Sequence, residues 1–183
     1  MIKFACEPIW RLRRQLTAAE VPANVADWLF DSGSLTSRII AACPGRFRVQ
    51  VVSQGWQVPM RNEVSRLGMR RGRLALVRQV YLFCDDTPWV FARTVIPRTT
   101  LRGKQKYLAR LGNKPLGAAL FADPSMQRAE LEVTRLSGAQ SHLTAIDTNP
   151  FDSTTCIWGR RSVFYVGHKP LLVAEFFLPP LAG

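Results

Sequence analysis

Histidine, closely paired cysteines and long apolar runs are scarce in this sequence. Only two of its 183 residues are histidines, and no apolar run approaches the roughly 20 residues that span a bilayer. The four cysteines lie far apart and form no C-x-x-C pair: Cys6, Cys43, Cys84 and Cys156. These absences argue against a histidine-rich metal site, a zinc knuckle, a thiol redox motif and an integral membrane protein. We therefore predict that the protein holds no metal.

The opening segment MIKFACEP (1–8) contains an acid and a proline where a secretory signal would have its apolar region. Disulfides are also not needed to stabilise a chain of this length. We therefore predict a cytoplasmic protein whose cysteines are reduced thiols.

Acidic residues are outnumbered, with 13 Asp and Glu against 25 Lys and Arg, and the net charge is +12. A polyanionic partner such as nucleic acid would account for this excess, and so would a basic surface that attracts small anionic ligands. The densest basic stretch, RNEVSRLGMRRGR (61–73), has no aromatic residue on which bases could stack. No helix-turn-helix or RRM pattern is present. We predict a small anionic ligand and no nucleic-acid partner.

The spacing of apolar residues predicts helices near the N-terminus and antiparallel strands after residue 46. Asn24 is expected to cap a helix over residues 24–31, and Ser34 or Thr36 to cap a second helix that follows it. Strands are predicted over residues 46–55, 73–84, 89–96, 158–166 and 171–178. Further helices are predicted over residues 100–112 and 116–121. Hairpin-linked strands with helices between them predict an α+β fold with a single antiparallel β-sheet, as one domain over residues 1–183. Residues 138–155 are expected to form a loop insertion.

Two strands each carry one charge on an otherwise apolar face. Alternation leaves Arg78 as the only charge on its face of the 73–84 strand, and Glu175 as the only charge on its face of the last strand. An unpaired ion in a protein core costs several kcal/mol, so each side chain needs a compensating partner. Two explanations stay open. The two side chains contact each other or reach solvent at a sheet margin, or they enclose a polar ligand whose carboxylate binds the guanidinium.

Three more arginines lie on the predicted strands 89–96 and 158–166. Arg93 has apolar neighbours and would either add a second cation for a substrate with two carboxylates or pair with a nearby acid. The acids considered for it are Asp85, Asp86 and Glu132. Arg160 and Arg161 point to opposite faces, so one of them is expected to meet solvent while the other packs near the sheet.

Four longer stretches resemble the chorismate–pyruvate lyase family, in the same order and at similar intervals. They are VRQVYLFCDDTPWVFARTVIP (77–97), LGNKPLG (111–117), WGRRS (158–162) and KPLLVAEFFLP (169–179). The resemblance covers most of the chain from about Asp27 onward. It implies an antiparallel sheet with helical flaps that enclose an internal ligand cavity. The segment 138–155 is longer than in the shortest members of the family.

The resemblance also implies which residues form the active site. Arg78 in VRQV and Glu175 in VAEFF match the family's ligand-binding and catalytic side chains. Leu116 in KPLG and Leu35 in GSLT match residues that bind substrate through the backbone. Leu35 stands where the family has methionine, a change that a main-chain contact tolerates.

The implied activity is the cofactor-free elimination of pyruvate from chorismate, which leaves 4-hydroxybenzoate for ubiquinone synthesis. The implied protein is a cytoplasmic monomer without metal or organic cofactor. The alternative is a non-catalytic module that binds a small aromatic acid, because effector domains of some transcription repressors resemble this fold. Such a module would follow a DNA-binding helix-turn-helix, for which the roughly 25 residues before Asp27 leave too little room.

Overall fold

The computed structural model describes residues 7–137 and 156–182. The predicted loop insertion at 138–155 lies outside the described residues. The described strands are β1 (Arg11–Leu12), β2 (Phe47–Gln57), β3 (Ala75–Cys84), β4 (Thr87–Pro97), β5 (Gln127–Arg128), β6 (Glu132–Ser137), β7 (Cys156–Val166) and β8 (Lys169–Phe177). The α-helices are α1 (Ala23–Phe30), α2 (Leu35–Ala42), α3 (Arg61–Arg66), α4 (Leu116–Phe121) and α5 (Pro179–Ala182). Short 3-10 helices cover Arg13–Gln15, Ala18–Glu20 and Gly103–Arg110.

All the strands belong to one antiparallel sheet. Its order is β1-β6-β7-β8-β4-β3-β2, and β5 also pairs with β7. The α+β prediction is therefore confirmed. Both predicted hairpins are present, and left-handed backbone at Asp85 and at Gly167–His168 closes their turns. His168 is exposed in its turn.

The helix caps follow the sequence only in part. Ser34 caps α2 as predicted, since its hydroxyl accepts a hydrogen bond from the Ser37 N–H at 3.4 Å. The predicted cap at Asn24 is wrong, because α1 begins at Ala23 and its N-cap residue is Pro22. The Pro22 carbonyl already accepts hydrogen bonds from Val25 and Ala26, so Asn24 lies inside the first turn. The predicted helix near 100–112 is a 3-10 helix, Gly103–Arg110.

Both faces of the sheet centre are covered by protein, which is why all ten residues of β3 are buried. On one face, Val25 and Leu29 of α1 and Ile39 of α2 pack with Val80 and Leu82 of β3. The opposite face packs an aromatic cluster against the sheet: Trp10, Tyr81, Phe83, Phe91 and Phe176. Alternate residues of one strand thus enter two different apolar layers.

Arg93 lies on the aromatic face of the sheet. Its guanidinium donates two hydrogen bonds to the Glu63 carboxylate of α3, at 2.7 and 3.0 Å, and both side chains are buried. The expectations that it pairs with Asp85, Asp86 or Glu132, or supplies a second cation to the ligand site, are therefore wrong. Helix α3 was not predicted because its six residues are mostly polar and show no apolar repeat.

Arg160 and Arg161 are both buried, at 1% and 5% exposure, so the prediction that one of them meets solvent is wrong. Arg161 donates to the Glu132 carboxylate at 2.9 and 3.3 Å and to the Asn62 side chain at 2.7 Å. Arg66 reaches the same Glu132 carboxylate at 2.9 Å. Because the sheet is covered on both sides, a charge on either face needs a partner within the protein.

Two cysteines are joined by a disulfide, which corrects the prediction of reduced thiols. Cys43 follows the last residue of α2 and Cys84 ends β3, and their Cα atoms are 5.6 Å apart. They meet because Phe47 at the start of β2 lies opposite Cys84. Among the described cysteines, Cys156 is free.

Reduction of the Cys43–Cys84 bond is expected to lower the melting temperature. Closing a loop between residues 41 positions apart stabilises a protein by roughly 2–4 kcal/mol. For a chain of this size that corresponds to a loss of about 4–16 °C. Calorimetry with and without a reducing agent measures the shift, and the Cys43→Ala/Cys84→Ala variant should not respond to the reductant. An unchanged melting temperature and an unchanged number of titratable thiols after reduction would contradict the assignment.

Candidate active site

A cavity lies between the sheet and two helices that we call the flap helices, α2 and α4. Its sheet side is formed by same-face residues of four adjacent strands, among them Arg78, Thr94, Glu175 and Arg160. The cavity volume is about 40 Å³. The walls are mostly apolar, so the charged groups inside it are held in a poorly solvated space.

Arg78 lies in the cavity wall with 2% of its surface exposed. Its guanidinium donates to the Gln54 side-chain oxygen at 3.2 Å and to the Lys114 carbonyl at 3.3 Å. Both acceptors are neutral, and no described carboxylate lies within 4.0 Å of the guanidinium. Burial lowers the pKa of Arg78. The cation is therefore desolvated without a counter-ion from the described chain.

Glu175 faces the same cavity but does not pair with Arg78. Its carboxylate accepts a 2.7 Å hydrogen bond from Arg160 Nε, and its side chain is 19% exposed. Arg160 also donates to the carbonyls of Trp28 and Asp31 at 2.8 and 2.7 Å. These three bonds hold the Glu175 carboxylate in one orientation. No Arg78 nitrogen lies within 4.0 Å of a Glu175 oxygen, so the open alternative in which the two side chains pair with each other is excluded.

The sheet register sets the separation of Arg78 and Glu175. Arg78 on β3 lies opposite Thr94 on β4, which lies opposite Val173 on β8. Glu175 is two residues further along β8, on the same face of the sheet. Two strand spacings separate their strands, or about 10 Å. The cavity is therefore charged at two places with an apolar stretch between them.

A third arginine, Arg128 of β5, also lines the cavity. Its Nε donates to the Ser162 hydroxyl at 3.0 Å, and Nη1 donates to the carbonyls of Asp31 and Ser32 at 3.4 and 3.1 Å. Burial lowers the pKa of Arg128, the nearby Arg160 lowers it further, and Glu175 acts in the opposite direction. Arg128 and Arg160 both donate to the Asp31 carbonyl, and Arg160 pairs with Glu175, so Arg128 lies on the Glu175 side of the cavity.

Leu35 and Leu116 bring the ends of the flap helices to the cavity. Leu35 is the first residue of α2, after Ser34, and Leu116 is the first residue of α4, after Pro115. Backbone N–H groups in the first turn of a helix have no acceptor within that helix. The two helix starts are close together, since a Cβ on Gly117 would lie 3.0 Å from the Thr36 hydroxyl. The structure therefore brings all four residues named by the family resemblance to one cavity.

The cavity residues do not balance in charge. Among the described lining residues, the guanidiniums of Arg78, Arg128 and Arg160 face one carboxylate, that of Glu175. Glu175 neutralises Arg160, so two positive charges are left over. A small ligand with two negative charges would complete the site.

Arg128 and Arg160 were missed as site residues. Arg160 carried the same signal as Arg78, because it shares an otherwise uncharged strand face with Trp158, Ser162 and Phe164. Arg128 carried none, since a two-residue strand is too short to show alternation.

Two further observations concern metals and membranes. In the ranges 7–137 and 156–182, no three or more His, Cys, Asp or Glu side chains are grouped as metal ligands. The helices within these ranges are also too short or too polar to cross a bilayer.

Two solved structures have a similar fold. PhnF from Mycobacterium smegmatis aligns with a TM-score of 0.58 at 14% identity, over 84% of this chain and 67% of that one. The ligand-binding domain of a GntR-family regulator from Bordetella bronchiseptica aligns with a TM-score of 0.53 at 16% identity, over 74% and 86% of the two chains. At these identities the likeness describes the fold alone.

Comparison of amino-acid sequences identifies the family, which the structural likeness does not. A protein named probable chorismate pyruvate-lyase from Aromatoleum aromaticum is 43% identical over 163 residues, 88% of each chain. A protein of the same name from Pseudomonas aeruginosa is 41% identical over 175 residues, 94% of this chain and 92% of its own. The family model for chorismate lyase matches residues 7–182. The chain therefore belongs to the chorismate lyase family.

Proposed function

We propose that this protein is a chorismate pyruvate-lyase, which converts chorismate to 4-hydroxybenzoate and pyruvate without a metal or an organic cofactor. The observation that carries the proposal is the buried, un-neutralised guanidinium of Arg78 in a cavity that also holds the Glu175 carboxylate. Membership of the family and the names of the relatives support the same reaction.

The charge of the cavity suits chorismate. Chorismate carries a carboxylate on its ring and another on its enolpyruvyl side chain, so it brings two negative charges to a site with two surplus positive ones. Charge-assisted hydrogen bonds to carboxylates are about twice as strong as neutral ones, and low solvation strengthens them further. Binding the dianion thus offsets the cost of burying the cations.

The roles of the four site residues follow from their positions. Arg78 binds the ring carboxylate, and the backbone N–H groups of Leu35 and Leu116 at the flap helices assist it. Glu175, on a strand about 10 Å away, accepts a hydrogen bond from the ring hydroxyl. Arg160 positions Glu175 through the 2.7 Å hydrogen bond.

The chemistry is an elimination that makes the ring aromatic. The bond between the ring and the ether oxygen breaks, and its electron pair leaves with the side chain as enolpyruvate, which takes up a proton to become pyruvate. A proton leaves the ring carbon that bears the hydroxyl, and its bonding electrons complete the aromatic ring. In this proposal Glu175 accepts that proton as the general base. Aromatisation supplies the driving force.

Substrate entry and product release require the flap helices to move. A cavity of about 40 Å³ is smaller than the roughly 150 Å³ that accommodates benzene in an engineered protein. The α2 and α4 helices must therefore shift outward before the ring enters. Closure afterwards excludes water and strengthens the charged contacts. Slow opening would make release of 4-hydroxybenzoate limit the turnover.

The proposed setting is the first committed step of ubiquinone synthesis, catalysed by a cytoplasmic monomer. The enzyme then needs no nucleic acid and no integral membrane association. Its basic surface attracts the dianionic substrate from solution.

The direct test is to mix the purified protein with chorismate and to follow both products. Coupling to lactate dehydrogenase measures pyruvate, and chromatography measures 4-hydroxybenzoate; the two are expected in equal amounts. A reaction without protein corrects for spontaneous decay of chorismate. Binding of 4-hydroxybenzoate without any acceleration would instead indicate the non-catalytic module that binds aromatic acids and would overturn the proposal.

Changing Glu175 to glutamine is expected to slow the elimination step by about 10²- to 10⁴-fold, the usual contribution of a general base. The neutral amide keeps the shape of the side chain but cannot accept the ring proton. Single-turnover rates with saturating chorismate measure the loss. The control is Glu130→Gln, because Glu130 is exposed and lies in a loose 3.6 Å ion pair with Arg14. A single-turnover rate within about threefold of the wild type would limit Glu175 to positioning the ligand.

A further inference from the structure

Of the three arginines among the described cavity residues, Arg128 is the one to which the roles above assign no function. Among the described residues its guanidinium contacts only neutral groups. It donates to the Ser162 hydroxyl and to the carbonyls of Asp31 and Ser32, and it lies over the Phe164 ring, 5.2 Å from the centroid. Its Nη2 donates to no acceptor within the described ranges. The residue lines the cavity wall and is partly buried.

The other face of the sheet shows how this protein treats a buried arginine that has a purely structural role. Arg93 pairs with Glu63 at 2.7 Å, and Arg161 pairs with Glu132 at 2.9 Å. Each of these cations has a carboxylate of the protein in contact. Arg128 has none within 4.0 Å among the described residues. In this respect it is like Arg78, the proposed ligand anchor.

The position of Arg128 relative to Glu175 indicates which part of a ligand it meets. The Asp31 carbonyl accepts hydrogen bonds from Arg128 Nη1 at 3.4 Å and from Arg160 Nη1 at 2.7 Å, and Arg160 pairs with Glu175 at 2.7 Å. The charges of Arg160 and Glu175 accordingly both act on Arg128. Arg128 is therefore at the Glu175 end of the cavity. In chorismate the side chain is attached to the ring carbon next to the hydroxyl that Glu175 is proposed to bind. A cation at this end faces the side chain and not the ring carboxylate.

From this we infer that Arg128 binds the side-chain carboxylate of the substrate and so makes the site selective for dicarboxylates. The inference rests on the proposed function. Nε and Nη1 are held by protein acceptors, which leaves Nη2 for the ligand. After the elimination, Arg128 retains pyruvate while Arg78 retains 4-hydroxybenzoate. The two products are thus held by different cations.

The test compares the affinities of one variant for a dicarboxylate and a monocarboxylate. Arg128→Gln should raise the KM for chorismate about 10- to 100-fold, as expected for the loss of a charge-assisted contact. It should change the dissociation constant of 4-hydroxybenzoate by less than about threefold, since that product has no side-chain carboxylate. Arg128→Lys retains the charge and should recover part of the chorismate affinity. Arg14→Gln, at a residue whose side chain is 71% exposed, is the matched control for net charge.

A structural role for Arg128 would give a different pattern. Loosening the turn at Asp31 and Ser32 would weaken the binding of 4-hydroxybenzoate as much as that of chorismate, and this result would overturn the inference. An unchanged KM in Arg128→Gln would overturn it as well. Ser162→Ala removes the Nε contact without changing the charge and should leave the preference for chorismate over 4-hydroxybenzoate within threefold of the wild type.

Failure of the proposed function would look different from failure of the inference. If the wild-type protein does not accelerate pyruvate release, the proposed function is wrong. Calorimetric titration of chorismate and 4-hydroxybenzoate into the wild type and Arg128→Gln then tests the dicarboxylate site without turnover. A loss confined to chorismate would support the site, and equal losses or none would refute it.

Discussion

Replacing Arg78 by methionine is expected to reduce kcat/KM for chorismate by about 10²- to 10³-fold without lowering the melting temperature. Removing one partner of a buried charge pair costs about 2–5 kcal/mol in binding, and each 1.4 kcal/mol is tenfold in rate. The effect on stability differs because Arg78 contacts only neutral acceptors of the described chain. Methionine fills much of the same space without a desolvated charge.

The steady-state kinetics and the thermal melting of Arg78→Met test these two effects together. Arg71→Met is a control of the same type, because Arg71 is exposed in a turn outside the cavity. Binding of 4-hydroxybenzoate should also weaken in Arg78→Met, since its carboxylate uses the same guanidinium. A variant that keeps its activity would remove Arg78 from the site. A variant that melts much earlier than the wild type would show that the arginine supports the fold.

Neutralising Glu63 is expected to destabilise the protein strongly but to leave catalysis unchanged, which is the reverse of the effect expected for Arg78→Met. Glu63→Gln leaves the buried Arg93 without its counter-ion, and a broken buried pair costs about 3–5 kcal/mol. At about 2–4 °C per kcal/mol, the melting temperature should fall by about 6–20 °C. Glu63 and Arg93 lie on the face of the sheet away from the flap helices, so the folded fraction should keep its kcat.

The double variant Glu63→Leu/Arg93→Met separates the cost of an unpaired charge from a loss of packing. Two apolar residues of similar size often replace a buried ion pair at little cost or with a gain in stability. The double variant should therefore melt well above Glu63→Gln. Glu130→Gln, at an exposed acid, controls for the change in net charge. If Glu63→Gln melts within about 2 °C of the wild type, the buried Glu63–Arg93 pair does not stabilise the fold as proposed.

Strand alternation predicted the cavity face because a long strand repeats its pattern many times. The position of Arg78 among apolar residues of β3 and that of Glu175 on β8 could both be read from the sequence. The resemblance to the family then added Leu35 and Leu116, whose backbone roles leave no pattern of residue types.

The partners of the charged residues could not be predicted, because a pattern within one strand contains no information about the elements packed against it. Arg93 pairs with Glu63 from a short helix that shows no apolar repeat. Arg128 enters the cavity from a strand of two residues. The Cys43–Cys84 disulfide depends on the register between β2 and β3. Each of these features needs the three-dimensional arrangement of segments far apart in sequence.

Arg160 shows that a rule can identify a residue and still miss its role. The alternation that singled out Arg78 applied to β7 equally well, but a second arginine follows directly, and only one of the two was expected to be buried. Both are buried because the sheet is covered on both faces. Arg160 then pairs with Glu175, which leaves Arg78 without a counter-ion in the part of the chain that the structure describes.

A crystal structure with 4-hydroxybenzoate tests most directly whether the cavity is an aromatic-acid site. We expect one molecule of 4-hydroxybenzoate beneath the flap helices α2 and α4, with its carboxylate bound to the Arg78 guanidinium and its hydroxyl donating a hydrogen bond to Glu175. A ligand bound outside this cavity, or one that contacts neither side chain, would contradict this expectation.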